Sequence, residues 1–300
     1  MQTVAILGLG KMGAAMSATI AAAGFPLVVY NRTAATARLH ADRIGAEVAA
    51  TPRRAARSAD IVITMLADEV ALDEVYHGPD GVLAGLRPGA VAVDMGTSGP
   101  EVIGTLAPEV TAVGAFLLDA PVSGSTAAAQ AGTLAILVGG DPAALTKAQP
   151  VFDAMGSATY HVGAVGAGAA MKLALNVIVH ATGQALAEAL VLAERSGIST
   201  ATAYEVFAQS AVASPVLAFR RDKFMDPEGA PATFQISLAR KDLQLTRALA
   251  QTVGVALPQA EATMSALQAA ADSGRDADDV TAVAAYLRDR ARQSPGPGNL

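Results

Sequence analysis

Residues 3–13 read TVAILGLGKMG, a short apolar run followed at once by three closely spaced glycines. The run TVAIL has the length and the branched side chains of a buried β-strand. In the turn that follows, Gly8 permits a tight bend, Gly10 lets a ligand approach the backbone, and Gly13 permits close packing of a helix on the strand. Free amides at the start of that helix favour phosphate. The stretch therefore predicts a strand–turn–helix unit that binds a dinucleotide.

The alternation of strand and helix continues through the first half of the chain. Apolar strands joined by helical crossovers predict an α/β fold with a parallel, doubly wound sheet that is covered on both faces. The predicted strands are residues 3–7, 26–30, 60–66, 90–94, 115–120, 134–140 and 159–163, and the clearest helices between them are residues 11–23, 34–44 and 101–113.

The second half of the chain shows helical patterns and no convincing strand. One long helix is predicted to end at Ser196-Gly197, and shorter helices follow it. The predicted organisation is a Rossmann-type dinucleotide-binding domain at 1–163, a long interdomain helix at 164–195, an all-α C-terminal domain at 196–292 and a disordered tail at 293–300. The predicted helices of the C-terminal domain are residues 200–210, 237–253, 258–272 and 279–292.

Composition argues against several classes of function. The chain has 21 Lys and Arg against 27 Asp and Glu, a net charge of −6 and no basic cluster, which disfavours a nucleic-acid partner. It has no cysteine, and its four histidines lack metal-binding spacing. A strand that begins at residue 3 leaves no room for a signal peptide, and polar residues interrupt the apolar stretch 164–193. We expect a soluble, cytoplasmic protein with no metal site and no membrane span.

The residues that end the second predicted strand indicate the cofactor. A site for NAD usually has Asp or Glu there, where the carboxylate binds the ribose hydroxyls. This chain has Asn31, Arg32 and Thr33 instead. Asn31 removes the carboxylate that would repel a 2′-phosphate, Arg32 offers it a guanidinium, and Thr33 offers a hydroxyl. This favours NADPH over NAD, and the alternative is an arginine solvated in a turn.

A lysine and an asparagine interrupt the small apolar run GAGAAMKLALN at 166–176. Residues four apart share a helix face, so Gly168, Lys172 and Asn176 form one stripe, in which Gly168 is expected to leave room for a substrate. Ala169 is expected to add to the room left by Gly168, which would fit a flat ring or a small substrate. A lysine here can stabilise the oxygen of a carbonyl group that accepts hydride, and can then protonate it. The alternatives are a lysine that reaches a surface groove and an asparagine that bonds a neighbouring helix.

A candidate carboxylate pocket follows the predicted strand at 115–120. The backbone amides of Gly124 and Ser125, with the hydroxyl of Ser123, can bind a carboxylate without a buried cation. The alternative is an ordinary polar turn, which such residues often form.

Two further polar features lie on predicted helices of the second half. Lys241 and Asp242 are adjacent and are expected to point to different sides and not to pair as a simple salt bridge. Lys241 is expected to close the site and Asp242 to orient it, and the alternative is a solvated helix face. Asp276, Asp278 and Asp279 precede the last helix, and Asp278 is expected to be its N-cap.

Four sequence blocks occur in the order found in the β-hydroxyacid dehydrogenase family, and the chain resembles that family over residues 1–292. The family includes 3-hydroxyisobutyrate dehydrogenase and glyoxylate/succinic semialdehyde reductases. The resemblance implies an NAD(P)-dependent oxidoreductase that acts on CH–OH or C=O groups. The blocks are GLGKMGAAM at 8–16, DAPVSGSTAAAQAGTL at 119–134, GAGAAMKLALN at 166–176 and KDLQL at 241–245.

Matching positions in the family imply roles for individual residues. Lys172 falls on the catalytic lysine, and Asn176 falls on the asparagine one turn beyond it. Together with the reasoning above, the predicted substrate-binding residues are Ser123, Gly124, Ser125, Thr97 and Lys241. The predicted cofactor-binding residues are Gly8, Leu9, Gly10, Lys11, Met12, Gly13, Asn31, Arg32, Thr33, Met65, Leu66, Thr97, Lys241 and Asp242.

The chain departs from the family pattern at several of these sites. Ser125 stands where the family commonly has glycine, so a side chain narrows the predicted anion pocket. Gly96 stands where serine is usual, Leu175 replaces the first of two adjacent asparagines, and Ala127-Ala128 replaces a Gly-Ala pair. These departures bear on substrate identity and leave the predicted fold and catalytic lysine in place.

We therefore expect an NADPH-dependent reductase of a small carboxylate-bearing aldehyde or ketone, in which Lys172 is the general acid. The alternatives are an NAD(P)-dependent 3-hydroxyisobutyrate-type dehydrogenase, an imine reductase-like enzyme and a non-catalytic dinucleotide-binding sensor. The long apolar helix also predicts a homo-oligomer, at least a dimer, in which a second copy partly covers residues 175–193.

Overall fold

The computed structural model describes residues 1–227 and 232–293. The chain divides into two compact units, residues 1–172 and residues 173–300, and the division falls inside the long helix Ala167–Arg195. The strands of the first unit are β1 (Val4–Leu7), β2 (Leu27–Tyr30), β3 (Glu47–Val48), β4 (Ile61–Thr64), β5 (Val91–Asp94), β6 (Phe116–Asp119), β7 (Val122–Ser123), β8 (Leu134–Gly140) and β9 (Gly156–Gly163). Its helices are α1 (Lys11–Ala22), α2 (Ala34–Ile44), α3 (Pro52–Ser58), α4 (Glu69–His77), α5 (Pro100–Ala112), α6 (Thr126–Gln130) and α7 (Pro142–Met155).

The strands form one sheet in the order β3-β2-β1-β4-β5-β6-β8-β7, with β9 also paired to β8. Strands β1 to β6 run parallel, whereas β8 is antiparallel to β6 and β7. Leu7 at the end of β1 pairs with Tyr30 on one side and with Thr64 on the other. The direction of strand succession therefore reverses at β1, and open α/β sheets bind ligands beside such a reversal. The predicted parallel-dominated sheet is confirmed.

Strand β1 shows why these strands are continuously apolar. Val4 and Ile6 pack into a core with α1 and α7, whereas Ala5 and Leu7 pack into a second core with α3, α4 and α5. Successive side chains of a strand point to opposite faces, so a strand covered on both sides needs apolar residues at every position. Burying one large aliphatic side chain contributes about 1.5–3 kcal/mol relative to leaving it exposed.

The predicted strands correspond to every strand of the sheet except β3 and β7, which are two residues long. Several helices of the first unit were not predicted. Helix α3 reads PRRAARS and is too short to show a periodic apolar face. Helix α7 did carry a start signal, because Asp141 precedes Pro142 and its Oδ1 accepts hydrogen bonds from the next amides at 2.7 and 3.2 Å.

The described residues of the second unit form helices joined by turns and loops, and they contain an isolated bridge between Gln235 and Asp279. Its core contains large side chains from several helices, among them Leu190, Leu243 and Leu267. The elements are α8 (Ala167–Arg195, shared with the first unit), α9 (Thr200–Ala208), α10 (Pro215–Met225), α11 (Ile236–Val253), α12 (Pro258–Ala270), a π-helical turn (Ala271–Arg275), a 3-10 turn (Val280–Ala282) and α13 (Val283–Gln293).

The prediction that Asp278 caps the last helix is wrong, because the neighbouring Asp279 is the N-cap of the 3-10 turn that precedes α13. Its Oδ1 accepts a hydrogen bond from the Thr281 amide at 3.2 Å, and its Oδ2 accepts one from the Thr233 amide at 2.8 Å. Arg220 Nη1 also donates to Asp279 Oδ1 at 3.3 Å. Asp279 is buried and bonds three separate segments, and this arrangement is a property of the fold.

Two remaining predictions concern the chain end and the membrane. Of the predicted tail at 293–300, Gln293 ends α13 and residues 294–300 lie outside the described residues. By length and composition alone, α8 would suffice to cross a bilayer, although 39% of its most apolar window is buried within the protein.

Candidate active site

The three glycines after β1 have different surroundings. Gly8 has a φ of +102°, and an added Cβ there would collide with the carbonyl oxygen of Met65. A Cβ on Gly13 would collide with the carbonyl oxygen of Gly8. The packing of the protein therefore requires both residues. A Cβ on Gly10, by contrast, would meet no atom within 4 Å. The open space in front of Gly10 fits the approach of a pyrophosphate to the start of α1.

Asn31 connects the end of β2 to this turn. Its Oδ1 accepts a hydrogen bond from the Leu9 amide at 3.1 Å, and its Nδ2 donates to the Thr33 carbonyl at 3.3 Å. Arg32 and Thr33 are exposed, and Arg32 makes no hydrogen bond or ion pair with another described residue. The segment thus offers an unengaged guanidinium beside the glycine-rich turn and contains no carboxylate.

The other predicted cofactor residues of the first unit lie around the same turn. Lys11 and Met12 are the first residues of α1, and Lys11 is exposed. Met65 and Leu66 directly follow β4, and the Met65 amide donates to the carbonyl of Leu7 at 2.9 Å. The end of β4 is therefore bonded to the end of β1, where the turn begins.

Two carboxylates hold the loop that carries Thr97. Asp94, the last residue of β5, accepts hydrogen bonds from Ser98 Oγ at 3.0 Å and from Thr64 Oγ1 at 2.9 Å. Glu69 accepts one from a backbone amide of the loop at 2.7 Å. Burial raises the pKa of Asp94, and these hydroxyl bonds oppose the rise. The loop after β5 is thus held by hydrogen bonds to Asp94 of β5 and to Glu69 of α4.

The predicted carboxylate pocket lies beside the glycine-rich turn. Strand β7 ends at Ser123, Gly124 has a φ of +145°, and Ser125 Oγ caps α6 by accepting a hydrogen bond from a backbone amide of that helix at 3.3 Å. Thr126 Oγ1 then contacts Met12 Sδ in α1 at 3.9 Å. The Ser125 oxygen is engaged as a cap, whereas the Ser123 hydroxyl bonds no other described residue. Ser123 is therefore the hydroxyl available to a substrate.

Asp119, the last residue of β6, receives the start of α8. Its Oδ1 accepts a hydrogen bond from the Gly166 amide at 2.8 Å, and its Oδ2 accepts one from the Ala169 amide at 2.7 Å. Burial raises the pKa of Asp119, and the backbone bonds oppose the rise. Asp119 thereby attaches the first turn of α8 to the edge of the sheet.

The expectation that Gly168 leaves room for a substrate is wrong. An added Cβ at Gly168 would collide with the carbonyl oxygen of Asp119 and lie 2.5 Å from that of Leu137. A side chain at Gly168 is therefore excluded by backbone atoms of strands β6 and β8. Lys172 lies one turn further along α8 and is half-buried.

In the second unit, Asn176 bonds a buried carboxylate. It lies one turn beyond Lys172 on α8, as predicted, and is 4% exposed. Its Nδ2 donates to Oδ2 of Asp242 in α11 at 2.9 Å. Because the amide nitrogen is used in this bond, the orientation of the Asn176 side chain is determined by Asp242.

Asp242 gathers two further polar side chains. Its Oδ1 lies 3.4 Å from Lys241 Nζ, so the expectation that these neighbours do not pair is wrong. The flexible lysine stem folds back along α11 to reach the carboxylate. His180, one turn beyond Asn176, has its Nε2 3.7 Å from Asp242 Oδ2 and stacks on the ring of Phe234 at 5.8 Å.

The structure thus groups the predicted site residues in two sets, one in each unit. The residues that the sequence analysis missed are the carboxylates that hold them, Asp94, Asp119 and Glu69. A signal for two of these was present, because Asp ends the neighbouring apolar strands VAVD and FLLD, where Asp94 and Asp119 pair in register. Within the described residues, no group of three or more His, Cys, Asp or Glu side chains could hold a metal ion.

Comparison with known proteins places this geometry in a family. Residues 3–163 match the family described as the NAD binding domain of 6-phosphogluconate dehydrogenase. Residues 166–287 match the family described as the NAD-binding domain of NADP-dependent 3-hydroxyisobutyrate dehydrogenase. The two matches meet between β9 and α8.

Individual relatives cover almost the whole chain. The chain is 33% identical to glyoxylate/succinic semialdehyde reductase 1 of Arabidopsis thaliana over 280 residues, which are 93% of this chain and 96% of the relative. It is 32% identical to 2-(hydroxymethyl)glutarate dehydrogenase of Eubacterium barkeri over 285 residues, 93% of each chain. The structure of Mycobacterium tuberculosis 3-hydroxyisobutyrate dehydrogenase with L-serine is similar with a TM-score of 0.81 at 31% identity, covering 96% of this chain and 99% of the other.

These matches agree with the parallel-dominated sheet of the first unit and with the helical second unit. The chain is an NAD(P)-dependent oxidoreductase that acts on hydroxyl or carbonyl groups, and it belongs to the β-hydroxyacid dehydrogenase family.

Proposed function

We propose that this protein is an NADPH-dependent reductase of a small aldehyde or ketone that carries a carboxylate. The observation that carries the proposal is the position of Lys172. Asp119 binds the start of α8 at the end of β6, and Lys172 follows Ala169, one of the two anchored residues, by three positions. Lys172, a half-buried residue, therefore lies close to the carboxyl ends of the parallel strands, where the glycine-rich turn and the Thr97 loop also begin.

In this reaction the carbonyl carbon receives a hydride, which is the chemistry that reduced nicotinamide supplies when bound. Lys172 stabilises the negative charge that develops on the carbonyl oxygen and donates a proton to that oxygen. Asn176, oriented by its bond to Asp242, presents its Oδ1 as an acceptor for a substrate hydroxyl or for the ammonium group. Lys241 and Asp242 are proposed to contribute to binding of the cofactor, as the resemblance to the family implies.

Three groups of the first unit support binding of the cofactor and the substrate. The turn at Gly8, Gly10 and Gly13, with Leu9, Lys11, Met12, Met65 and Leu66 around it, is proposed to hold the dinucleotide. The unengaged guanidinium of Arg32 is proposed to bind the 2′-phosphate, with Asn31 and Thr33 beside it. The Ser123 hydroxyl and the Gly124 and Ser125 amides are proposed to bind the substrate carboxylate, with Thr97 near the nicotinamide.

Oxidation of a 3-hydroxy acid is the second candidate function, and the relative from Eubacterium barkeri, named a dehydrogenase, favours it. The same residues can serve reduction and oxidation. A protonated lysine donates a proton to the oxygen during reduction, and a neutral lysine accepts the hydroxyl proton during oxidation. The two candidates differ in the direction of net turnover.

We also propose that the protein is a cytoplasmic homo-oligomer, at least a dimer. The outer face of α8 supports this, since Ile178 and Leu192 are 69% and 68% exposed. Sedimentation velocity is expected to show a species of at least twice the 30.1 kDa chain mass. A single monomeric species would contradict the proposal.

The function is tested by comparing the wild-type protein with Lys172→Ala. Both are assayed with NADPH and with NADH against glyoxylate, succinic semialdehyde and a 3-hydroxy acid, and cofactor binding is titrated by fluorescence. The variant is expected to bind NADPH normally and to lose about 10³-fold in rate, the order of a general-acid contribution. Lys147→Ala is the matched control, since Lys147 bonds the Gly89 carbonyl at 2.6 Å on α7 and should leave the rate unchanged. Full activity of Lys172→Ala would refute the proposed chemistry.

A further inference from the structure

We infer that Asp119 is the positioning residue for Lys172, because it caps the start of α8 and so determines where the lysine stands at the edge of the sheet. The inference rests on the proposed function of Lys172.

Helix α8 has no cap of its own. It begins after Gly166 with Ala167, Gly168 and Ala169, so no side chain near its start can accept a hydrogen bond, and its first turn contains no acidic residue. The first amides of a helix have no partner within the helix and need an external acceptor. Asp119 supplies it from 47 residues earlier in the chain.

The contact holds the first turn in two ways. One carboxylate oxygen bonds the amide before the helix and the other bonds an amide inside its first turn, at 2.8 and 2.7 Å. A single acceptor would leave the helix free to rotate about one bond, whereas two acceptors define both its axial position and its rotation. Lys172 lies three residues after Ala169, within one turn of the anchored amide.

Close packing reinforces the anchor. An added Cβ at Gly139 would lie 2.5 Å from Asp119 Oδ1 and 2.8 Å from the Gly168 amide nitrogen. Gly139 and Gly168 therefore let β8, Asp119 and α8 meet with no side chain between them. The start of α8 cannot move towards the sheet, and the two hydrogen bonds keep it from moving away.

The Asn substitution separates the charge and the bonding of this carboxylate from its shape. Asp119→Asn has nearly the same volume, but its amide accepts one of the two hydrogen bonds and turns its NH₂ group towards the other donor. The first turn of α8 should shift by a fraction of an ångström to about 1 Å. A displacement of that size at a catalytic group costs about 10²-fold in rate.

The first test compares Asp119→Asn and Asp119→Ala with Asp141→Ala in the full-length chain. Asp141 is the matched control, since it caps α7 through two amide bonds and lies outside the site. The Asp119 variants are expected to lose ten- to hundredfold in kcat, with KM and the NADPH dissociation constant within about threefold of wild type. Asp141→Ala should keep wild-type kcat. An unchanged kcat in Asp119→Asn would overturn the inference while leaving the role of Lys172 intact.

The second test is a double-mutant cycle with Lys172→Ala. If Asp119 acts through Lys172, Asp119→Asn should cause no further loss in the Lys172→Ala background. A loss of the same size in both backgrounds would show a role that is only structural, and would overturn the inference. Where Asp119→Ala does not fold, Gly168→Ala replaces it. That variant displaces the same turn without changing its charge, and it should show the same loss of kcat.

A third measurement decides the case in which Lys172→Ala retains full activity and the proposed function fails. The rate at which an acylating reagent labels Lys172 is followed by mass spectrometry, together with amide hydrogen exchange at residues 166–172. Asp119→Asn should change the labelling rate at least threefold and speed exchange in that segment. Wild-type values for both would overturn the placement of Lys172 by Asp119, independently of any activity.

Discussion

Two carboxylates of the first unit and two of the second have opposite pKa shifts. In the first unit, burial raises the pKa of both Asp94 and Asp119, although hydroxyls and backbone amides bond them. In the second unit, burial also acts to raise the pKa of Asp279, but hydrogen bonds and a neighbouring arginine more than offset it and lower the pKa. Hydrogen bonds from Arg288 lower the pKa of Glu194.

The causes of these shifts differ from one carboxylate to the next. At Asp94 and Asp119 the bonds from neutral donors do not outweigh burial, whereas at Asp279 the bonds from Thr233 and Thr281 lower the pKa and the charge of Arg220 adds to them. At Glu194 the hydrogen bonds from Arg288 are the largest cause of the lowered pKa.

Asp94 and Asp119 use neutral donors to hold a backbone loop and the start of α8 around the candidate site. Asp279 and Glu194 bond arginines and connect separate segments, whereas Asp242, in the same unit, bonds Asn176. A bond to arginine thus distinguishes the acids that connect the fold from those that arrange the candidate site.

The largest expected effect concerns the buried ion pair of the second unit. Asp279→Ala leaves the guanidinium of Arg220 buried without its carboxylate, and should lower the free energy of unfolding by about 3–5 kcal/mol. Asp276→Ala is the control, because its half-exposed ion pair with Arg240 should contribute less than about 1 kcal/mol. Urea unfolding followed by hydrogen exchange would assign the loss to residues 173–293. Equal losses in the two variants would show that burial of the pair does not matter.

The next effect separates packing from ligand binding in the first unit. Gly8→Ala meets both a positive φ and a backbone collision, and should destabilise the fold by about 3 kcal/mol. Gly10→Ala has open space, so stability should change by less than about 1 kcal/mol while NADPH binding weakens at least about tenfold. Thermal unfolding and fluorescence titration measure the two quantities. Normal cofactor affinity in Gly10→Ala would show that the pyrophosphate does not approach this residue.

A smaller effect concerns an arginine that has no carboxylate partner in the first unit. Arg32→Ala should weaken NADPH binding by about tenfold, or about 1.4 kcal/mol, and leave NADH binding within about twofold. Arg57→Ala, an exposed arginine on α3, should leave both affinities unchanged. Isothermal titration with each cofactor makes the comparison. A parallel loss of both affinities in Arg32→Ala would argue against contact with the 2′-phosphate.

The smallest effect tests the opposite pKa shifts directly through the pH dependence of stability. The folded-state pKa of Glu194 is lowered, so its contribution is present above about pH 4.5 and is lost as the pH falls through the folded-state pKa. The pKa of Asp94 is raised, so its contribution is present below about pH 3.8 and is lost as the pH rises through the folded-state pKa.

Unfolding free energies of wild type, Glu194→Gln and Asp94→Asn at pH 4 and pH 7 test these signs. The advantage of wild type over Glu194→Gln should shrink at the lower pH, by under about 1 kcal/mol, because the pair with Arg288 is partly exposed. The difference in unfolding free energy between wild type and Asp94→Asn should increase at pH 4. The same direction of change in both comparisons would contradict the electrostatic difference between the units.

Most of the fold could be predicted because its signals are local. The residues that form β1 and the glycine-rich turn are contiguous. Short continuous apolar runs indicate the strands, and longer segments with apolar residues three or four apart indicate the helices. The spacing of Lys172 and Asn176 on one helix face is likewise a property of consecutive residues. Very short elements such as β3, β7 and α6 were missed, because a few residues contain too little periodicity.

The errors share one physical origin. Gly168 is small because of the strands behind it, Asp279 caps a turn because it is buried beside Arg220, and Lys241 folds back to Asp242 because that carboxylate is buried. Each outcome depends on what lies beside the residue in space, and neighbours in sequence do not reveal it.

The sequence by itself determined the alternation of strands and helices, the glycine-rich turn, the absence of a carboxylate after β2, and the spacing of Lys172 and Asn176. The tertiary structure alone decided which carboxylates bond the start of α8 and Asn176. Asp119 bonds the start of α8 from 47 residues away, and Asp242 bonds Asn176 across 66 residues. A hydrogen bond requires two groups to meet within about 3 Å. Between residues so far apart in the chain, only folding brings them to that distance.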